Sequence, residues 1–238
     1  MALKKLHIGK LEVGPIPLVV GSITQEETLR TLARVTRPEF DIAEVRLDEI
    51  DAFPENVIAL CGKLKFPVLL TIRSAKEGGK WRGREKDRCA LYEAALPHVA
   101  AIDVEIESGS LKKLAAVAHR FKKTVVGSYH DFEGTPSIRA LRTIVQCGRE
   151  QGAHIVKIAT MIKNPADLVP HFELISTEKR TPLCLIGMGP LGAHTRVSLA
   201  CMGSCLTYGY VDRPAVPGQF SCKKLRSLLD EFCRGRKW

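Results

Sequence analysis

Eight short apolar runs alternate with eight helical segments between residues 18 and 232, and this alternation limits the possible folds more than any other feature of the chain. Strands are expected at 18–22, 42–47, 67–73, 100–106, 124–130, 153–159, 182–187 and 205–209. Most are unbroken apolar stretches rich in β-branched residues, the pattern of strands covered on both faces. Helical periodicity predicts helices over 24–35, 54–63, 85–96, 109–121, 136–150, 165–176, 195–202 and 219–232. Pro136 and Asn164 mark helix starts, and Thr24 with Glu27 has capping-box spacing. Residues 11–17 read as a lead-in. Such alternation builds a parallel sheet with crossover helices. Eight units of about 25–30 residues each argue for a closed (β/α)8 TIM barrel. A doubly wound open sheet is the alternative, weakened because no glycine-rich fingerprint follows the first strand. No linker or composition shift divides residues 1–238, so one domain is expected.

Hydrophobic residues make up 45% of the chain, enough for a substantial core. No run of about 18 apolar residues suggests a membrane helix, and no apolar signal core follows the first lysines. Eight cysteines are scattered without a CxxC pair, which speaks against a zinc site or a disulfide framework and for a cytoplasmic protein. The net charge of +10 suits either nucleic acid or an anionic metabolite. Basic residues are spread widely, and aromatics at 6% are not interleaved with them as base stacking requires. No nucleic-acid or membrane partner is therefore expected.

The polar residues inside the apolar runs carry the chemistry. Lys157 sits in the middle of AHIVKIAT, where an unpartnered ammonium would be costly to bury. One reading is a lysine reaching to water from a strand end. The other is an amine with a pKa lowered by burial, able to attack a ketone and form a Schiff base. The preceding strand, TVVGSYH, ends in His130 and favours the second. Residues two apart share a strand face, which groups Glu44 with Arg46 and Asp48, Thr71 with Arg73, Asp103 with Glu105, and Ser128 with His130. All lie toward the carboxyl ends of their strands, where barrel active sites are built. Asp103 and Glu105 could equally be members of structural ion pairs. Glu77, in the loop after the third strand, could orient His130 and set its tautomer. Arg196, in GMGPLGAHTR, could grip a carboxylate with two hydrogen bonds or belong to a phosphate site. The loop 211–219, VDRPAVPGQ, reads as a lid.

Together AEVRLDE, TIRSAKEGG, GSYHDF, VKIA, GMGPLGAHTR and PGQF, in this order, resemble the type I 3-dehydroquinate dehydratase family. The resemblance runs from the second strand to the last loop. It implies loss of water from 3-dehydroquinate to give 3-dehydroshikimate, in the shikimate pathway, through a lysine Schiff base. Lys157 would be the Schiff-base lysine, His130 the general acid and base, and Glu77 its carboxylate partner, expected to raise its basicity. Ser22, Glu44, Arg46 and Arg73 would bind the ring hydroxyls, Arg196 the substrate carboxylate, and Gln219 would close over the ligand. Two departures stand out: Ala215 replaces the lid serine of the family, and Gly187 stands where a serine is expected. A small anionic substrate, no cofactor, no metal and a homodimer are expected. A Schiff-base aldolase on a sugar phosphate, and a non-catalytic protein binding ligand or nucleic acid through its basic surface, are the competing functions.

Overall fold

The structure is a computed structural model that describes residues 5–14, 16–36, 38–214, 216 and 218–232. Eight parallel strands follow one another in chain order around a nearly closed barrel. They are β1 (Leu18–Ile23), β2 (Ile42–Arg46), β3 (Val68–Thr71), β4 (Ala101–Glu105), β5 (Thr124–Asp131), β6 (Ile155–Met161), β7 (Leu183–Met188) and β8 (Leu206–Tyr210). From β1 to β7 each strand pairs in parallel with the next, and β8 pairs with β1. Between β7 and β8 the gap is bridged at the amino end, where the Cys205 amide donates to the Leu183 carbonyl at 2.8 Å. The helices between strands are α1 (Glu26–Leu32), α2 (Pro54–Cys61), α3 (Glu85–Ala95), α4 (Leu111–Arg120), α5 (Ile138–Glu150), α6 (Val169–Thr177), α7 (Thr195–Cys201) and α8 (Cys222–Phe232). The eight expected units are therefore present, each within a few residues of its expected bounds, and the open-sheet alternative is set aside.

Two apolar layers follow from the strand period of two. Outward residues such as Val45, Leu70, Val104, Val125 and Ile158 pack under the helices with Leu114, Leu141 and Leu225. Inward residues Val20, Ile42, Leu69, Ala101, Val126 and Ile155 fill the amino-terminal half of the barrel. The lead-in is more ordered than expected. Leu11–Val13 pairs antiparallel with Leu6–Ile8, and this hairpin presses the fully buried Ile8 into the barrel floor. The Thr124 hydroxyl donates to the His7 carbonyl and ties the hairpin to the sheet.

Helix α1 begins at Glu26, two residues late, and Thr24 does not cap it. The Asp212 carboxylate instead accepts from the Thr24 amide at 2.8 Å, the Gln25 amide at 3.0 Å and the Thr24 hydroxyl at 3.0 Å. The loop after β8 thus occupies the role that a local cap would have had. The expected cap at Asn164 is present, with the reciprocal bond to Asp167, although a 3-10 turn at Pro165–Leu168 precedes α6.

Candidate active site

At the carboxyl ends of the strands the inward positions turn from apolar to charged. Ser22, Glu44, Arg46, Arg73, Glu77, His130, Lys157, Arg196 and Gln219 all line one open cavity of about 570 Å³. Of the expected site residues only Ala215 escapes description; it lies outside the described residues.

Lys157 is buried, as a strand interior requires, but it is not alone. Its Nζ donates to Asp103 Oδ2 at 2.9 Å and lies 3.9 Å from Glu44 Oε1. On another side it lies 4.5 Å from the centroid of the Tyr208 ring, within cation–π range. An amine isolated in an apolar strand is thus replaced by one paired to carboxylates, which offsets the cost of burial. Asp103 is the hub of this wall. Its Oδ1 accepts from Arg73 Nη2 at 2.5 Å and from the Ser128 hydroxyl at 2.6 Å. Burial pushes the Asp103 carboxyl up, but the Arg73 and Lys157 charges outweigh it and hold the group well below the usual carboxylate range. Glu44 is equally well supported, accepting from Ser22 at 2.5 Å and from Thr71 at 2.9 Å. Arg46 is held by Asp48 through two bonds, Nε at 3.0 Å and Nη2 at 2.8 Å.

Glu77 reaches His130 because the chain after β3 doubles back. The Trp81 amide donates to the Arg73 carbonyl at 3.1 Å, and the Ala75 amide to the Trp81 carbonyl at 3.0 Å. A 3-10 turn, Ala75–Glu77, crosses the top, and Gly78 leaves it at φ 77, a conformation that favours glycine. A Cβ on Gly79 would lie 2.1 Å from the Arg73 carbonyl oxygen, so the fold-back tolerates no side chain there. Glu77 Oε2 then sits 2.8 Å from His130 Nδ1 and accepts from the His130 amide at 3.0 Å. The ring is fixed with Nε2 as its remaining nitrogen. The electrostatics depart from expectation. Burial, with the Arg73 and Lys157 charges, holds His130 well below its ordinary value, so the surroundings as a whole lower the basicity of the ring that Glu77 orients. Glu77 itself is pushed up to about 8, by burial first and by the Glu105 and Asp103 carboxylates, with Arg73 acting against the shift.

Arg196 presents the opposite case. It is 2% exposed, and its nearest partners are carbonyls, Tyr208 at 3.2 Å from Nη1 and Gly218 at 3.4 Å from Nε. Nη2 is buried with no hydrogen-bond partner among the described residues. Burial without an anion lowers the guanidinium to about 10. The glycines before it pack the loop on itself. A Cβ on Gly187 would lie 2.8 Å from Ile162 Cγ1 and 3.0 Å from the Gly192 Cα, which explains why no serine stands at 187. The lid loop is tied down at both ends: the Val211 amide donates to the Ser22 carbonyl at 3.0 Å, and the Tyr210 amide to the Phe220 carbonyl at 2.9 Å.

Sequence reasoning passed over Asp103 as a site residue and never singled out Tyr208. Asp103 had a signal, a carboxylate inside AAIDVEI, but not the information that Lys157 and Arg73 converge on it. Tyr208 had only its polar end within an apolar strand.

At the carboxyl mouth of the barrel the structure thus brings together a buried amine, a histidine held by a carboxylate and a guanidinium with no carboxylate partner among the described residues. The model of the type I 3-dehydroquinase family matches residues 16–234. A 3-dehydroquinate dehydratase of Methanosarcina barkeri is 33% identical over 239 residues, covering 94% of this chain and 98% of that one. Among solved structures, the 3-dehydroquinate dehydratase of Geobacillus kaustophilus superposes with a TM-score of 0.89 at 27% identity, covering 98% of each chain. The type I 3-dehydroquinate dehydratase of Clostridium difficile, solved with covalently modified comenic acid, gives 0.88 at 25% identity, covering 98% of this chain and 99% of that one. The chain belongs to the type I 3-dehydroquinase family: it is a dehydroquinate dehydratase, a lyase, with the shikimate-pathway role its family implies. Among the described residues no helix is long and apolar enough to cross a membrane.

Proposed function

We propose that the enzyme converts 3-dehydroquinate to 3-dehydroshikimate and water through a Schiff base on Lys157. The observation that carries this reading is the division of labour across the cavity. Lys157 is held by Asp103 on one wall, while Arg196 waits without an anion on the other. A keto acid satisfies both at once. Its carboxylate takes the buried guanidinium, and its ketone meets the amine.

In the proposed sequence the neutral Lys157 amine adds to the ketone, and loss of water gives an imine. Once protonated, the imine is an electron sink, and the Asp103 carboxylate beside the nitrogen favours that charged form. His130 removes a proton from the adjacent carbon, and the electron pair forms an enamine. The enamine returns its electrons and expels the hydroxyl from the next carbon, which leaves as water with the proton from His130. Hydrolysis of the conjugated imine then frees the enone acid and restores the amine. Ser22, Glu44, Arg46 and Arg73 take the ring hydroxyls, Arg196 and Gln219 the carboxylate end. The reading includes action in the cytoplasm as a homodimer.

Borohydride added during turnover tests the covalent step. It should fix the substrate skeleton on the peptide that contains Lys157, and Lys157→Ala should neither label nor turn over. Active wild-type enzyme that yields no adduct at any site would overturn the mechanism. Release of a carbon fragment in place of an enone acid would point to an aldolase.

A further inference from the structure

Two buried side-chain polar atoms that line the cavity lack a hydrogen-bond partner among the described residues: Arg196 Nη2 and the hydroxyl of Tyr208. The first is explained by the substrate carboxylate. The second has no role in the reaction as set out above, which rests on the residues of the opposite wall and on Arg196.

Tyr208 lies on β8 with its side chain facing into the barrel, beside Cys184 and Ile186 in the inner apolar layer, and is 4% exposed. Its ring face carries Lys157 Nζ at 4.5 Å. Its carbonyl accepts from Arg196 Nη1 at 3.2 Å. One residue therefore touches both the amine that takes the ketone and the guanidinium that takes the carboxylate. Burial, reinforced by the Glu44 charge, pushes the phenol well above its ordinary value, so it remains an O–H donor throughout the working pH range. A buried hydroxyl with no acceptor destabilises the fold, and phenylalanine would fill the same space without that penalty.

We propose that Tyr208 is a substrate-positioning residue whose hydroxyl donates to an oxygen on the carbon that bears the substrate carboxylate. That carbon lies between the two anchors Tyr208 already touches. It carries two oxygen functions, the carboxylate and the hydroxyl that leaves. The proposal rests on the Schiff-base reading only for the placement of the ketone at Lys157. The Tyr208 hydroxyl then finds its acceptor on the ligand.

Tyr208→Phe removes the hydroxyl and keeps the ring against Lys157. The variant should melt a few degrees higher than wild type, because an unpaired buried polar group is gone. It should also lose about two- to tenfold in kcat/KM, the scale of one neutral hydrogen bond. A loss seen in KM with kcat unchanged assigns the bond to the carboxylate, which is present before and during reaction. An equal loss in kcat and kcat/KM assigns it to the departing hydroxyl. Unchanged kinetics, or a lower melting temperature, would overturn the proposal: the first means no substrate contact, the second a partner within the protein. Borohydride trapping on Lys157 in the same variant keeps the two readings apart. Trapping with unchanged kinetics removes the role of Tyr208 and leaves the Schiff base standing.

Discussion

Arg73 and Arg196 are both almost wholly buried and line the same cavity, yet their surroundings are opposite. Arg73 belongs to the wall built by β2 to β6, where Asp103, Glu105 and Ser128 surround its guanidinium and the Asp103 and Glu105 charges raise it well above its ordinary value against the effect of burial. Arg196 belongs to the wall built by β7, β8 and the lid, where burial meets no carboxylate and lowers it to about 10. Both walls rise from the same apolar floor. The difference shows which charges the protein has assigned to itself and which it leaves for a ligand. The first wall is a closed network that fixes Lys157 before substrate arrives. The second offers Arg196 carbonyls but no carboxylate among the described residues, the place the proposed function gives to the substrate anion.

If that contrast is real, damage to the first wall should appear in folding. Asp103→Asn leaves the Arg73 and Lys157 ammonium and guanidinium charges without their shared carboxylate. Removing one partner of a buried pair destabilises by about 3–5 kcal/mol. For a chain of this size that is a fall of roughly 6–20 °C in Tm. The sign with pH sharpens the test. Asp103 is depressed in the folded protein, so its contribution is present above the unfolded carboxylate range and is lost as pH falls. The gap between variant and wild type should therefore narrow in acid. A variant with wild-type Tm at neutral pH would show that the wall does not hold itself together through Asp103.

Damage to the second wall should spare the fold. Arg196→Met removes a buried cation that has no anionic partner, so Tm should hold or rise. Loss of the charge-assisted bonds to the substrate, each about 1.5–3 kcal/mol, should lower kcat/KM by roughly 10- to 10²-fold. Thermal melts beside steady-state kinetics measure both. A variant that melts well below wild type would place Arg196 among the structural charges and erase the contrast between the walls.

Much of this was legible in the sequence because local periodicity carries it. Strands buried on both faces read as apolar runs, and polar residues at their ends stand out against that background. Lys157 and His130 were found in that way, and Arg196 from the glycine-bearing stretch GMGPLGAHTR after the seventh strand. What escaped depends on contacts distant in sequence. The acceptor at the start of α1 is Asp212, 188 positions from Thr24, so no capping-box spacing could reveal it. Asp103 looked like half of a structural ion pair until the register set β4 beside β3 and β5, with Lys157 across the hub. The basicity expected of His130 failed for a related reason: burial and the Arg73, Lys157 and Arg46 charges outweigh the Asp103 carboxylate, and none of these neighbours is visible in the sequence around His130. The hairpin under the barrel was missed because its strands are three residues each, too short for a period-2 signal.

The Glu77–His130 pair stands between the two walls, and Glu77→Gln should have the smallest effect on rate and the clearest one on pH. The pair is in contact at 2.8 Å, so the two groups titrate together. A base-competent pair needs Glu77 ionised and His130 neutral. Glu77 keeps its proton to about pH 8 in the free enzyme, so kcat/KM should rise through that region. In Glu77→Gln the carboxyl is gone and the remaining titration is that of His130, which burial and the Arg73 and Lys157 charges hold well below its ordinary value. The acid limb of kcat/KM should move below pH 6.5. The maximum should fall only about tenfold, less than the 10² or more expected on losing the acid–base group itself. Stability gives an independent sign. Because folding raises the Glu77 value, its presence weighs against the fold increasingly as pH rises from the ordinary carboxylate range to about 8, and by a constant amount above that. The Tm advantage of Glu77→Gln over wild type should therefore grow from pH 5 to pH 9. An acid limb that stays near pH 8 in the variant would assign that titration to another group, and Glu77 would be left as an orienting contact alone.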